Sequence, residues 1–149
     1  MLPSRASARW TMSSGADPTE RLVLDTSGYS HLQRGHAQVL DWLAAATVIF
    51  VPATVVGELE AAFRQGTRQP ENRRLLDEFL AEPFVDVLVT DRSVGRRYGT
   101  LATELRRTGT PIPTNDIWIA AATLSIDGRL LTFDRDFERV PGLDRVVLS

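Results

Sequence analysis

With 149 residues, of which 43% are hydrophobic and 24% charged, the chain has the length and composition of one globular domain, which excludes a disordered or fibrous protein. It has no cysteine, so disulfides and thiolate metal sites are excluded and a reducing, cytoplasmic environment is expected. All 17 basic residues are arginine, which excludes a Walker A phosphate loop and a Schiff-base lysine, and the formal net charge of −2 gives no overall attraction to nucleic acid.

The beginning of the chain differs in composition from the rest. Residues 1–20 are rich in Ser, Ala, Arg, Gly and Pro, which predicts a flexible N-terminal tail in which Met12 is an alternative start. The apolar stretches of this tail are too short for a signal peptide, and no later run reaches the roughly 18 apolar residues of a membrane span. We therefore expect one folded domain over residues 21–149 and no association with a membrane.

After the tail, short apolar runs alternate with segments of helical periodicity, a pattern typical of βαβ units. Strands are predicted at residues 22–24, 48–51, 85–89, 130–132 and 146–148, and helices around residues 29–32, 39–43, 52–63, 71–81, 92–105 and 116–125. Asp91 and either Thr114 or Asn115 are expected to cap two of these helices. Because the strands are apolar on both faces, the sequence predicts a parallel sheet covered on both sides, that is, a three-layer α/β/α domain.

Four acidic residues stand where predicted strands end or predicted helices begin. Asp25 directly follows the first strand, Asp134 lies just beyond the fourth, and Glu58 and Asp116 lie in the first turns of two helices. The carboxyl ends of parallel strands share one edge of a sheet, so all four carboxylates can reach one site. Taken singly, each also has a structural interpretation, as a helix cap, a solvated helix residue, a partner of the helix dipole or a turn residue.

Carboxylates that converge in this way repel one another. Two unit charges about 4 Å apart cost about 4 kcal/mol at an effective dielectric constant of about 20, and no arginine adjoins Asp25, Glu58 or Asp116 in the sequence. A hard divalent cation is the simplest compensation, and an all-oxygen site favours Mg²⁺ or Mn²⁺ over zinc. Such ions serve mainly phosphate chemistry. The sequence therefore predicts a site for one of these ions.

Four stretches carry a likeness to a known family: residues 22–27, 55–59, 114–121 and 131–137. Through them the chain resembles the PIN-domain family, and specifically the VapC-like toxin ribonucleases of type II toxin–antitoxin modules. The resemblance implies a central five-stranded parallel sheet and a four-acid site that binds Mg²⁺ or Mn²⁺ and cleaves RNA phosphodiesters. It implies Asp25, Glu58, Asp116 and Asp134 as the catalytic and metal-binding carboxylates.

The resemblance also implies polar residues that support these acids and partners that the protein meets. The supporting residues would be Thr26, Ser27, Asn115 and Thr132, with Asp136 able to share or take the role of Asp134. The implied partners are an RNA substrate, a cognate antitoxin protein and a second copy of the toxin, the homodimer being formed through the helices between residues 53 and 81. The tail is a departure, because members of the family usually begin close to the first strand.

Two other functions stay open on the residues alone. A catalytically silent module whose acidic pocket docks a basic peptide fits the same acids, and stabilisation by Mn²⁺ would distinguish the nuclease from it. A phosphatase of the haloacid dehalogenase type fits less well, because its second aspartate is expected two residues after the nucleophile, where Ser27 stands.

The remaining polar residues receive weaker interpretations. His31 and His36 are interpreted as surface or hinge residues rather than as catalytic ones. A group of arginines is expected to contact RNA phosphates, although each of them taken singly fits a solvated helix face: Arg64, Arg68, Arg73, Arg74, Arg96, Arg97, Arg106 and Arg107.

Overall fold

The computed structural model describes residues 20–149, and all but the last residue of the predicted N-terminal tail, including Met12, lie outside the described residues. The described chain contains five strands and six α-helices, and the α-helices come in consecutive pairs between the first four strands. Their bounds are β1 Arg21–Leu24, α1 Thr26–Gln33, α2 Ala37–Ala45, β2 Val48–Pro52, α3 Ala53–Gln65, α4 Gln69–Leu80, β3 Val85–Leu88, α5 Arg92–Arg107, α6 Thr114–Ser125, β4 Arg129–Thr132 and β5 Arg145–Val147. A 3₁₀ helix, Arg135–Arg139, follows β4.

The five strands form one parallel sheet in the order β3-β2-β1-β4-β5. β1 lies at the centre, with Leu22 level with Ile49 of β2 and Val23 level with Leu130 of β4. The strand order reverses at β1, and sheets of this kind bind ligands beyond the carboxyl ends of the strands beside such a switch. Helices cover both faces, so the predicted three-layer α/β/α fold with a five-stranded parallel sheet is confirmed.

The centre of the sheet is buried because its side chains meet helices on both faces. Every residue of β1 and β2 is buried, whereas the edge strands β3 and β5 are only partly covered. α6 is a core helix, as its apolar sequence predicts, and half of its 12 residues are buried: Ile117, Ile119, Ala120, Ala121, Ala122 and Thr123. Among the described helices, none is both long and apolar enough to cross a bilayer.

The start of α6 differs from the sequence prediction. Pro113, with φ −54 and ψ 146, occupies the capping position, and the helix begins at Thr114. Neither Thr114 nor Asn115 is therefore the cap. Because Asn115 stands inside the first turn, its side chain projects from the helix instead of folding back on it, and this matters for the site described below.

Smaller differences concern the strand ends. Pro52 is the last residue of β2 in an extended conformation, and α3 begins one residue later. β3 ends at Leu88, so Val89 lies beyond the sheet and is 61% exposed.

The cap predicted at Asp91 is confirmed, since its carboxylate accepts a hydrogen bond of 3.0 Å from a backbone N–H in the first turn of α5.

Candidate metal and catalytic site

Asp25 joins the centre of the sheet to the first helix. It directly follows β1 and caps α1, where Oδ1 accepts hydrogen bonds of 2.7 Å from the backbone N–H of Gly28 and from the hydroxyl of Ser27. Oδ2 accepts a third hydrogen bond from the hydroxyl of Thr132 at the end of β4. The residue is 4% exposed. A buried carboxylate is thus held in one orientation by three donors, and its capping role is compatible with a functional one.

Two hydroxyl groups tie the junction of β1 and α1 to the end of β4. Besides donating to Asp25, the Ser27 hydroxyl accepts a hydrogen bond of 2.9 Å from the backbone N–H of Phe133. The Thr132 hydroxyl also donates to Asp25, and it accepts one of 2.9 Å from the backbone N–H of Asp134. The segment that carries Asp134 is therefore positioned by the same contacts that hold Asp25.

This arrangement needs a residue without a side chain at position 28. A Cβ atom on Gly28 would lie 2.7 Å from the carbonyl oxygen of Leu131 in β4, closer than real Cβ atoms approach. A larger residue would push the first turn of α1 away from β4, and the hydroxyls of Ser27 and Thr132, now 3.4 Å apart, would separate. The glycine therefore permits the close approach on which the site depends.

Glu58 reaches the same edge of the sheet from α3. Its Oε1 accepts a hydrogen bond of 2.6 Å from the hydroxyl of Thr26, and its Oε2 accepts one of 3.2 Å from the side-chain amide of Asn115. Thr26 begins α1, and Asn115 lies in the first turn of α6. One carboxylate thus connects three helices, and its orientation is fixed by donors from two of them.

Three further carboxylates lie close together. Asp116, Asp134 and Asp136 each offer one oxygen atom, and these atoms all lie within 4.8 Å of one another. Asp134 caps the 3₁₀ helix, since its Oδ1 accepts a hydrogen bond of 2.8 Å from the backbone N–H of Asp136. A nearby cation is Arg139, whose Nη1 is 3.6 Å from Oδ1 of Asp136, but its side chain is 50% exposed. Such an exposed pair compensates little of the negative charge.

The electrostatics link all five acids into one site. The pKa of Asp116 rises to about 7, first because burial disfavours the charged form and then because of the negative charges of Asp134, Glu58, Asp25 and Asp136. Burial also raises the pKa of Asp25, with a smaller rise caused by Asp134, while its hydrogen bonds act in the opposite direction. The carboxylates therefore repel one another electrostatically across one site, as converging negative charges must.

The structure brings the four predicted acids together at the carboxyl edge of the sheet. Asp25 and Glu58 are held by hydrogen bonds, whereas Asp116 and Asp134 lie together with Asp136. The sequence left open whether Asp134 or Asp136 completes the set, and both stand beside Asp116. The four predicted supporting residues each donate a hydrogen bond to one of the acids: Thr26, Ser27, Asn115 and Thr132. The catalytic and metal-binding roles of these residues stay predictions.

A cluster of rings beside the site is not predicted from the sequence. His31 stacks on Phe133 with ring centroids 3.6 Å apart, and His36 meets both rings edge-on. Nδ1 of His31 lies 2.9 Å from the backbone carbonyl oxygen of Ser27. Both histidines are therefore partly buried around Phe133 rather than free at the surface. The short spacing of the two histidines is the only signal in the sequence, because Phe133 lies far along the chain.

The chemistry of this cluster fits a hard divalent cation. The available ligands are carboxylate oxygens, which hard cations prefer. Such an ion would relieve the repulsion that, in addition to burial, raises the pKa of Asp116. Asp116, Asp134 and Asp136 lie near enough to one another to share one ion.

Comparisons with known proteins agree with this fold. The family profile of the PIN domain matches residues 22–143. The chain is 29% identical over 105 residues to ribonuclease VapC2 of Rickettsia felis, a match that covers 70% of this chain and 77% of the relative. The fold is similar to the crystal structure of VapBC2 from Rickettsia felis bound to a DNA fragment from their promoter, with a TM-score of 0.78 and 22% identity over 87% of this chain and 99% of that one.

A second similar structure is that of VapBC-5 from Mycobacterium tuberculosis, a member of the VapBC family of toxin–antitoxin systems, with a TM-score of 0.69 and 25% identity over 87% of this chain and 99% of that one. The profile match covers most of the chain, including the segments that supply all five acids. By its sequence and by its fold, this protein belongs to the PIN domain family.

Proposed function

We propose that this protein is a metal-dependent endoribonuclease toxin of a toxin–antitoxin pair, which hydrolyses phosphodiester bonds of RNA. The observation that carries this proposal is the cluster of Asp116, Asp134 and Asp136, whose carboxylate oxygens lie within 4.8 Å of one another beside Asp25 and Glu58. The relative from Rickettsia felis is named a ribonuclease, which supports the same activity here. For the same reason, a catalytically silent module that docks a basic peptide is not favoured.

In this proposal the resident ion is Mg²⁺ or Mn²⁺, held by Asp116, Asp134 and Asp136, with Asp25 and Glu58 beside them. When bound, the ion supplies Lewis-acid stabilisation of the negative charge that develops on phosphate oxygens during hydrolysis. Water attacks phosphorus in line and the 3′-oxygen leaves, so no covalent bond between enzyme and substrate is formed.

The chain's own polar residues give the site a fixed shape. Hydroxyl groups hold Asp25 from α1 and from β4, and a hydroxyl and an amide hold Glu58 from α1 and α6. Because these donors are already in place, the carboxylates do not have to reorient as charge develops in the transition state. The fold therefore supplies preorganisation, and the acids supply the charge that the ion requires.

RNA and a cognate antitoxin protein are the partners in this proposal, and the toxin–antitoxin nature of the similar structure from Mycobacterium tuberculosis supports the second of them. The proposal also includes a homodimer formed through α3 and α4, a cytoplasmic site of action, and a nuclease domain that spans residues 21–149.

Replacing the central acid tests the proposed activity. Asp116→Asn keeps the shape of the side chain but removes its charge, so the rate of RNA cleavage with Mg²⁺ or Mn²⁺ should fall by about 100-fold or more. The matched control is Asp127→Asn, the same chemical change at an exposed residue beyond the other end of α6. Asp127 has a φ of 54, a conformation that asparagine adopts readily, so this variant should fold and cleave normally.

Cleavage is measured on labelled RNA with purified full-length protein, and circular dichroism verifies that each variant is folded. Undiminished cleavage by folded Asp116→Asn would remove the acidic cluster from the reaction. An equal loss in Asp127→Asn would show that the assay responds to negative charge in general and not to the site.

A further inference from the structure

The arginines of the described chain differ in their partners. Ion pairs between described residues engage five of them: Arg73, Arg74, Arg129, Arg135 and Arg139. Helix α5 carries five others, all exposed, and none of these forms an ion pair with another described residue: Arg92, Arg96, Arg97, Arg106 and Arg107. Glu104 is the single acid within α5. In a chain with a formal net charge of −2, this helix is strongly positive.

Three of these arginines surround a shallow hollow on the surface of α5. Arg92, Arg96 and Arg97 line a volume of about 500 Å³ together with Ser93 and Thr100. Arg92 and Arg96 are one helical turn apart and face the same side. The lining side chains carry guanidinium and hydroxyl groups, which are donors suited to phosphate oxygens, and none of them carries a carboxylate.

α5 is fixed beside the helix that carries the central acid of the site. It packs against α6 through a stacked pair of rings, Tyr98 and Trp118, whose centroids are 3.9 Å apart. Trp118 stands two residues after Asp116. The apolar side of α5, with Val94 and Leu101, is buried in the core, so the arginines lie on the outer side.

We propose that the arginine face of α5, defined by its five arginines, binds the phosphate backbone of the RNA substrate outside the site of cleavage. This inference rests on the proposed ribonuclease function. A chain of net negative charge with five carboxylates at its site repels a polyanion, so productive binding needs a positive surface elsewhere. At a rise of about 1.5 Å per residue, α5 extends the arginines over about 22 Å, which is long enough for several consecutive phosphates.

This surface is expected to set the affinity for RNA and not the position of cleavage. Guanidinium contacts to phosphates carry no information about the base, whereas contacts to base edges do. The arginine face should therefore act equally on substrates of different sequence, and its contribution should fall as salt rises. In kinetic terms it should lower KM for long RNA while kcat at saturation stays the same.

The test compares two triple variants with the same change in charge. The first, Arg92→Gln/Arg96→Gln/Arg97→Gln, removes the arginines of the hollow, and glutamine retains a helix propensity similar to that of arginine. The matched control, Arg34→Gln/Arg73→Gln/Arg74→Gln, removes the arginine that ends α1 and two arginines of α4 that are already paired with Glu60 and Glu78. Binding of a fluorescent single-stranded RNA of about 20 nucleotides is measured by anisotropy across a salt series, with a chelator present so that no cleavage occurs.

We expect the α5 variant to bind RNA about tenfold or more weakly than the unmodified protein and to lose about 2 from the slope of log affinity against log salt, since each phosphate contact on a single strand contributes about 0.7. The control variant should keep both values close to those of the unmodified protein. With Mg²⁺ or Mn²⁺ present, the α5 variant should cleave with a raised KM and an unchanged kcat.

Two results would overturn the inference. Unchanged RNA affinity and salt slope in the folded α5 variant would do so, even if that variant lost binding to a protein partner, because the surface would then serve the protein. An equal loss of RNA affinity in both triple variants would mean that binding depends only on the overall charge of the protein. Failure of the unmodified protein to cleave RNA would count against the proposed function instead, and the binding assay with chelator separates the two outcomes.

Discussion

The acidic site contains two kinds of carboxylate. Asp25 and Glu58 together accept five hydrogen bonds, from hydroxyls, a backbone N–H and a side-chain amide. The carboxylate of Asp116 accepts none from the described residues, and it lies close to Asp134 and Asp136. The first pair is built into the fold, with its charge compensated by donors, whereas the repulsion within the second group is left for a ligand to relieve. The two groups should therefore respond to different experiments.

The largest expected effect is stabilisation by a divalent cation, which should act through the second group. At a concentration about 100 times its dissociation constant, Mg²⁺ or Mn²⁺ should raise the free energy of unfolding by about 2.7 kcal/mol, or the melting temperature by about 10 °C. Asp116→Asn should abolish this rise, because it removes a ligand from the group that shares the ion. Thermal unfolding with and without the ion, followed by chelation, measures the effect.

Asp127→Asn serves again as the control and should respond to the ion as the unmodified protein does. The two variants carry the same chemical change, so a difference between them reports on the position of the residue. If Asp116→Asn were stabilised as strongly as the unmodified protein, the ion would have to be bound elsewhere, and the distinction between the two kinds of carboxylate would lose its meaning.

The two groups also differ in how far the sequence predicts them. Asp25 could be predicted with its neighbours, because a strand that ends at an aspartate and continues into Thr26 and Ser27 is a local pattern. For Asp134 and Asp136 the sequence predicts only that one or both of them complete the site, because the choice depends on the short 3₁₀ helix that Asp134 caps and on the distance of both residues from α6. Local periodicity predicts which elements exist, but it does not give the distance between side chains from separate elements.

The second prediction concerns the first group and its donors. Thr132→Val removes the hydroxyl that donates to buried Asp25 and accepts from the backbone N–H of Asp134. It should lower the free energy of unfolding by about 2 kcal/mol, since a buried charge loses a donor. Thr26→Val is the matched substitution at partly exposed Glu58, where water can replace the lost donor, and about 0.5–1 kcal/mol is expected. Urea unfolding in the presence of chelator provides both values.

Equal losses in the two valine variants would contradict this interpretation, because burial would then not matter to the pair of donors. A loss in Thr132→Val that disappears when an excess of divalent cation is added would also contradict it, since the contact would serve the ion and not the fold.

The arginines illustrate a further limit of sequence analysis. The sequence predicts that Arg73 and Arg74 contact phosphate together with Arg96 and Arg97, yet in the structure Arg73 pairs with Glu60 and Arg74 with Glu78. The pair on α4 is neutralised by acids that the fold brings near, while those on α5 are not. The predicted group does not include Arg92, which comes next to Arg96 only through the turn of the helix. The sequence shows which residues are charged, but the acid that each arginine contacts depends on how the helices pack.

The smallest expected effect is the pH dependence of the metal-free protein. Because the pKa of Asp116 is raised to about 7 in the folded protein, the folded state keeps a proton that the unfolded chain has released above about pH 4. The free energy of unfolding should therefore fall as the pH rises from about 4 through 7. For this half-buried group the loss should be about 1–2 kcal/mol after solvent screening is allowed for.

Asp116→Asn removes the titrating group and should flatten this part of the curve, so that above pH 7 the metal-free variant is the more stable protein. The rise that burial causes in the pKa of Asp25 is present in both proteins and therefore cancels from the difference between them. Urea unfolding with chelator at several pH values between about 4 and 8 measures that difference. Parallel curves would mean that the pKa of Asp116 is not raised in the folded protein, and the group of Asp116, Asp134 and Asp136 would then need no ion to be stable.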